Sequence, residues 1–198
     1  NISREINYFT FNIESENDSS TRHSFWGGNH ICSWSVTLEG MEIVKLYKYE
    51  GKFDELVDNY YLTESQLRFT AKPKYCVALA KADKDRHCIL ALENEQLVTF
   101  FVLHDKEGPK IYTDKPNVIL LRAFSTDYNH QGKGYAKQAL LLLPDFVKKN
   151  FPHITEILLA VNVTNEVAQS VYKTTGYVDE GIRKQDSTSE LVIMSYCL

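Results

Sequence analysis

The chain has 198 residues, 43% of them hydrophobic, enough for one well-packed core and within the range of a single domain. Its formal net charge of −4 leaves no footprint for nucleic acid or an anionic membrane, and mildly favours a cationic small molecule. No apolar run nears the ~18 residues of a membrane span and no signal-like opening precedes the body, so the expectation is a cytoplasmic protein whose Cys32, Cys76, Cys88 and Cys197 stay reduced.

Residues 1–40 read as an extension, and 41–198 as the main domain. The extension holds a polar cluster from Glu14 to Ser20, the pair Gly27-Gly28, and an alternating piece from Tyr8 to Ile13 that suits an added strand. His23, His30 and Cys32 are grouped there, but their spacing fits no zinc pattern and no metal is expected. Trp26 and Trp34 read as packing residues.

From Met41 to Tyr47 apolar and polar residues alternate as in a half-buried strand, and two short helical pieces follow near 52–60 and 63–70. Thr63 and Gln66 are spaced as a capping box, and Pro73 is read as the end of the second piece. Strands are expected near 76–80, 87–93 and 96–104, the last two joined as a hairpin through Asn94-Glu95. Gly108-Pro109 and Asp114-Lys115-Pro116 mark a loop before a strand at 117–125.

That strand leads through a short polar link into Gln131-Gly132-Lys133-Gly134-Tyr135-Ala136. Glycines there permit positive φ, so several N–H groups can converge on an anion at the start of a helix. A phosphate loop of the Walker type is excluded because Gly134 is followed by Tyr135-Ala136-Lys137, not by Lys-Ser/Thr. The dinucleotide fingerprint fails at Lys137, where it wants a small residue.

The following helix presents Ala136, Ala139, Leu140, Leu143 and Val147 as a stripe, widened by Leu141, Leu142 and Phe146, with a kink expected at Pro144. Residues 154–161 form a nearly continuous apolar run, as in a central strand covered on both faces. A helix from Asn165 should end at Gly176, before strands near 177–182 and 190–197. Cys197, near the end of the last strand, reads as buried or at an interface.

Gln131, Gly134 and Ala136 fit a Gln/Arg-x-x-Gly-x-Gly/Ala motif, and Asn165, Ala168, Tyr172 and Gly176-Tyr177 fit Asn-x-x-Ala-x-x-x-Tyr-x-x-x-Gly-Phe/Tyr at the expected distance. Together they resemble the GNAT N-acetyltransferase superfamily over residues 41 to 198. The resemblance implies an α/β (α+β) fold with a mixed, mostly antiparallel sheet, splayed between the strands at about 117–125 and 154–161, with helices on both faces. It also implies acetyl-CoA as co-substrate, a small-molecule amine such as a polyamine as acceptor, and direct transfer without a covalent enzyme intermediate. Homodimers occur among such proteins. A protein amine as acceptor and a non-catalytic acyl-CoA sensor are the alternatives.

By the same resemblance, main-chain groups of Ala123, Phe124 and Ser125 would bond the pantetheine arm, and amides of Gln131, Gly132, Lys133, Gly134, Tyr135 and Ala136 the diphosphate. Asn165 would contact the arm or cap its helix, and Tyr172 would give a proton to the leaving thiolate. Asn165, Ala168 and Tyr172 share a helix face, with Val167 and Val171 expected on another. Many relatives carry an acid on the strand before the loop, where this chain has Arg122 and no carboxylate until Asp127. Glu93 and Glu95 are candidates for attracting the acceptor or relaying a proton, or else solvated turn carboxylates. Lys133 is a phosphate partner or a solvated lysine, and His130 reads as a surface residue.

Overall fold

The computed structural model describes residues 44–185 and 189–198. The expected extension at 1–40, including Trp26, Trp34 and the grouping of His23, His30 and Cys32, lies outside the described residues, as do residues 41–43 and 186–188.

Among the described residues seven strands form one sheet: β1 (Lys45–Lys48), β2 (Arg86–Glu93), β3 (Gln96–His104), β4 (Val118–Thr126), β5 (Glu156–Asn162), β6 (Val178–Gln185) and β7 (Glu190–Cys197), in the order β1-β2-β3-β4-β5-β7-β6. Of these described strands only β4 and β5 pair in parallel; the other neighbours are antiparallel. This is the mixed, mostly antiparallel sheet expected from the sequence.

Alternation along the strands sorts the apolar residues onto two faces. Ile89, Phe101, Leu103, Ile119, Leu121, Ile157 and Leu159 pack with Ala139, Leu140, Leu143 and Val147 of α4 (Tyr135–Asn150) and Tyr172 of α5 (Glu166–Thr174). Cys88, Leu90, Phe100 and Val102 pack on the other face with Val57 of α1 (Asp54–Asn59) and with Cys76 and Val77 of α3 (Pro73–Ala82). A fully buried aliphatic side chain contributes about 1.5–3 kcal/mol, so covering both faces is what holds the helices against the sheet.

The β2–β3 hairpin turns at Asn94 and Glu95, whose φ values of 45° and 66° are the pair of left-handed conformations that a two-residue turn requires. The capping box of Thr63 and Gln66 also forms, at the head of α2 (Glu64–Leu67).

Several elements differ from the sequence reading. The strand expected at 76–80 is α3, because Pro73 opens a helix at its first position, where a missing N–H costs nothing, and does not close the one before. The helix expected at 63–70 is only α2, four residues long. Leu141 and Leu142 are 55% and 39% exposed and do not widen the buried stripe of α4. That helix runs on through Pro144, which withholds the N–H that would otherwise reach the Leu140 carbonyl. Cys197 is exposed, whereas Cys76 and Cys88 are buried thiols.

Candidate functional site

The parallel ladder between β4 and β5 runs from the Val118–Glu156 pair to the Leu121–Leu159 pair and stops. Beyond it β5 follows β7 as far as the Asn162–Leu191 pair, while β4 follows β3 to the Thr99–Thr126 pair. Between Val102–Arg122 and Phe100–Ser125, β4 advances three residues against two on β3, a bulge that bends the strand away from β5. Ala123 sits in that bulge with φ 51°, a left-handed conformation costly for a residue with a Cβ.

The parting strands leave a cleft of about 420 Å³. Leu121 to Thr126 form one wall, and Ala160, Val161 and Asn162 the other. Asn165, Val167, Ala168, Val171 and Tyr172 of α5 close one side, Ser65, Gln66, Phe69 and Thr70 another, and Gln131 and Ala136 meet it at the glycine loop.

The loop is built from β4 outward. Asp127 accepts from the Asn129 amide at 2.8 Å and from the Tyr61 amide at 2.6 Å, which fixes the 3-10 turn Tyr128–His130. Gly132 and Gly134 then take φ values of 74° and 81°. A Cβ at either would meet nothing within 4 Å, so the backbone angle, and not crowding, calls for glycine. Gly134 is the N-cap of α4 and no side chain caps it, so the first-turn amides face outward at the positive end of the helix. Beneath them the Tyr135 hydroxyl donates to the Glu93 carboxylate, and the His130 ring lies edge-on to Tyr135 at 5.9 Å. Among the described residues His130 Nδ1 is buried without a partner.

On α5 the Asn165 side chain accepts from the Ala168 amide at 3.2 Å and caps the helix. Tyr172 packs edge-on against Phe124 at 6.0 Å and Tyr177 at 5.7 Å, which holds its ring at the cleft wall. Burial pushes its phenol pKa above the usual range, so it stays protonated. Among the described residues its hydroxyl has no hydrogen-bond partner.

A second cavity, of about 390 Å³, meets the first at Phe69, Thr70, Leu121, Arg122, Ala123 and Ala160. Its further lining includes Arg68, Tyr75, Cys76, Arg86, Tyr112 and Leu191. Arg122 Nη1 donates to His104 Nδ1 at 3.3 Å, His104 Nε2 lies 3.3 Å from Asp83 Oδ2, and that oxygen accepts from Arg86 Nε at 2.9 Å. Burial first, and then the Arg86 charge, lower the His104 pKa and keep the imidazole neutral.

The profile of the Acetyltransferase (GNAT) family matches residues 51–177. The chain belongs to this GNAT acetyltransferase family. Within it, the chain is 38% identical over 143 residues to the uncharacterized N-acetyltransferase YbbJ of Bacillus subtilis (strain 168), covering 72% of this chain and 89% of that one. The fold is similar to that of the spermidine N-acetyltransferase from Vibrio cholerae in complex with CoA and spermine, with a TM-score of 0.61 and 15% identity over 78% of this chain and 95% of that one. Similarity of fold extends to the aminoglycoside acetyltransferase AAC(6')-Ib in complex with coenzyme A and kanamycin, with a TM-score of 0.64 and 15% identity over 78% of this chain and 94% of that one.

In this GNAT N-acetyltransferase, Ala123, Phe124, Ser125, Gln131, Ala136, Asn165 and Tyr172 all border the one cleft, while Gly132, Lys133, Gly134 and Tyr135 form the loop at its end. Lys133 is exposed. Glu93 and Glu95 are not brought to the cleft: Glu93 is 7% exposed beneath Tyr135, neither a solvated turn carboxylate nor open to an acceptor, and Glu95 is exposed on the hairpin. Val167 and Val171 line the cleft beside Tyr172 instead of turning away from it. His130 is half-buried, not a surface residue. The sequence reading missed the second cavity, because Tyr75 and Cys76 come from α3, read there as a strand; Pro73 taken as a helix start would have exposed that wall.

Proposed function

We propose that this GNAT enzyme transfers an acetyl group from acetyl-CoA to the primary amine of a small molecule, by direct attack while both are bound. One observation carries the reading: β4 and β5 part beyond Leu121 and Leu159, and the cleft so formed ends at a glycine loop with an uncapped helix start. The CoA complexes of the two similar folds support the coenzyme, and their spermine and kanamycin support a small amine.

The residues fit such a substrate. Amides from Gln131 to Ala136 would hold the diphosphate, with the helix dipole adding about 0.3–1 kcal/mol. Main-chain groups at Ala123, Phe124 and Ser125, set loose from β5, would bond the pantetheine arm as a neighbouring strand does. Asn165 uses its side-chain oxygen in the cap, which leaves its amide nitrogen for the arm.

The amine nitrogen forms the new C–N bond to the acetyl carbon as the C–S bond breaks. Tyr172 supplies the proton that the departing sulfur takes up and regains one from solvent, while water accepts the surplus proton of the amine. Holding a neutral amine against the thioester provides much of the acceleration. Acetyl-CoA-dependent release of free thiol across a set of primary amines tests the proposal. Thiol release no faster than acetyl-CoA hydrolysis with every amine contradicts it.

A further inference from the structure

The second cavity departs from what an acidic protein and a polyamine acceptor would suggest. Arg68, Arg86 and Arg122 line it, and among the described residues no carboxylate does. Asp83 lies beside this group, and its Oδ2 is engaged by Arg86 and by His104. Asp85 is engaged by Lys106 at 2.5 Å. Among the described residues Arg122 therefore has only the neutral His104 ring as a partner and makes no ion pair.

A half-buried guanidinium that makes no direct ion pair is costly unless an anion reaches it. Its planar fork suits a carboxylate held by two parallel hydrogen bonds. Arg122 also precedes Ala123 in the bulge where the two cavities meet, so an anion on it lies one residue from the place where the thioester is expected.

We propose that the acceptor is a small amine that carries a carboxylate, bound in the second cavity with its carboxylate on Arg122 and its amine toward the bulge at Ala123. This rests on the acetyl-transfer reading above. Arg86 and the exposed Arg68 add to the positive field, and the same field turns away a polycation. The chain Asp83–His104–Arg122 holds the guanidinium in place, with His104 Nε2–H donating to Asp83 and Nδ1 accepting from Arg122. Arg122 thus stands as an anion-binding residue on β4, the strand on which the family resemblance implies an acid.

The test measures thiol release with free amino acids of small to aromatic side chain, with the matching amino acid amides, and with spermidine and kanamycin. Free amino acids are expected to exceed their amides at least about tenfold in kcat/KM, the effect of losing one charge-assisted contact. Arg122→Gln should raise the KM for the amino acid about 10- to 100-fold, move the acetyl-CoA KM far less, and be partly rescued in Arg122→Lys. Amides, spermidine or kanamycin turned over as well as the free amino acids would overturn the acceptor assignment alone. Failure of acetyl-CoA to bind, or of every amine to react, would overturn the parent reading and this one with it. The comparison of amino acids with amides uses the unaltered enzyme, so it stands even if Arg122→Gln does not fold.

Discussion

The hydroxyl of Tyr60 donates to the carbonyl of Ser125 at 2.7 Å, tying the end of α1 to the strand that walls the cleft. Gln66 Nε2 repeats the tie one residue on, reaching the Thr126 carbonyl at 2.8 Å. The segment from 54 to 67 is thereby pinned to β4 by polar contacts on the far side of the bulge. Tyr60→Phe removes the donor from a buried carbonyl and should cost about 1–3 kcal/mol. Urea unfolding measures it, and a midpoint equal to that of the parent protein would show that water replaces the hydroxyl without loss.

Tyr172 is the residue assigned to the leaving sulfur. Tyr172→Phe keeps the ring packing against Phe124 and Tyr177 and loses only the hydroxyl, and with it the proton donor. The expected result is a kcat lower by about 100-fold or more with the acetyl-CoA KM little changed. Because burial raises its pKa, the protonated form persists through the ordinary phenol range, so kcat should show no fall near pH ~10 from this group. Unchanged kcat in the phenylalanine variant across pH would remove the tyrosine from this role.

Burial raises the phenol pKa of Tyr60 and Tyr177 as well as of Tyr172. In the unfolded chain these groups release their protons near pH ~10, whereas the folded chain retains them. Folded protein then binds more protons than unfolded, so stability is full below pH ~10 and falls as the pH rises above it. Denaturation midpoints measured from pH 8 to 11 should drop over the last unit, with the share of the tyrosinate absorbance that belongs to these three buried groups appearing only on unfolding. Tyrosinate absorbance rising to full value in the folded protein would contradict this.

What can be read in the sequence follows how local the controlling physics is. The Asn94-Glu95 turn, the Thr63–Gln66 capping box and the Gly132 and Gly134 conformations depend on a few adjacent residues, and each is visible in the chain. The sheet topology is legible through the family resemblance, and its central strands through unbroken apolar runs. Pro73 shows the limit, since proline marks the end of one helix and the start of another equally well, and only packing of Cys76 and Val77 on β2 and β3 decides. Arg86, Arg122 and His104 lie on three different strands, so their network has no sequence pattern and exists only after the strands pair. Net charge misleads for the same reason: a −4 chain places three arginines around one cavity.

The grip of the 131–136 loop on a diphosphate is tested most directly by calorimetric titration of acetyl-CoA into the parent protein and into Gly134→Trp. Space beyond the Gly134 Cα is open, so the variant should fold, with about 1–2 kcal/mol of strain from the left-handed angle. Its indole would cover the first-turn amides of α4. Binding by the parent and none detectable by the folded variant is the predicted result; equal affinity in the two would contradict the assignment of the loop.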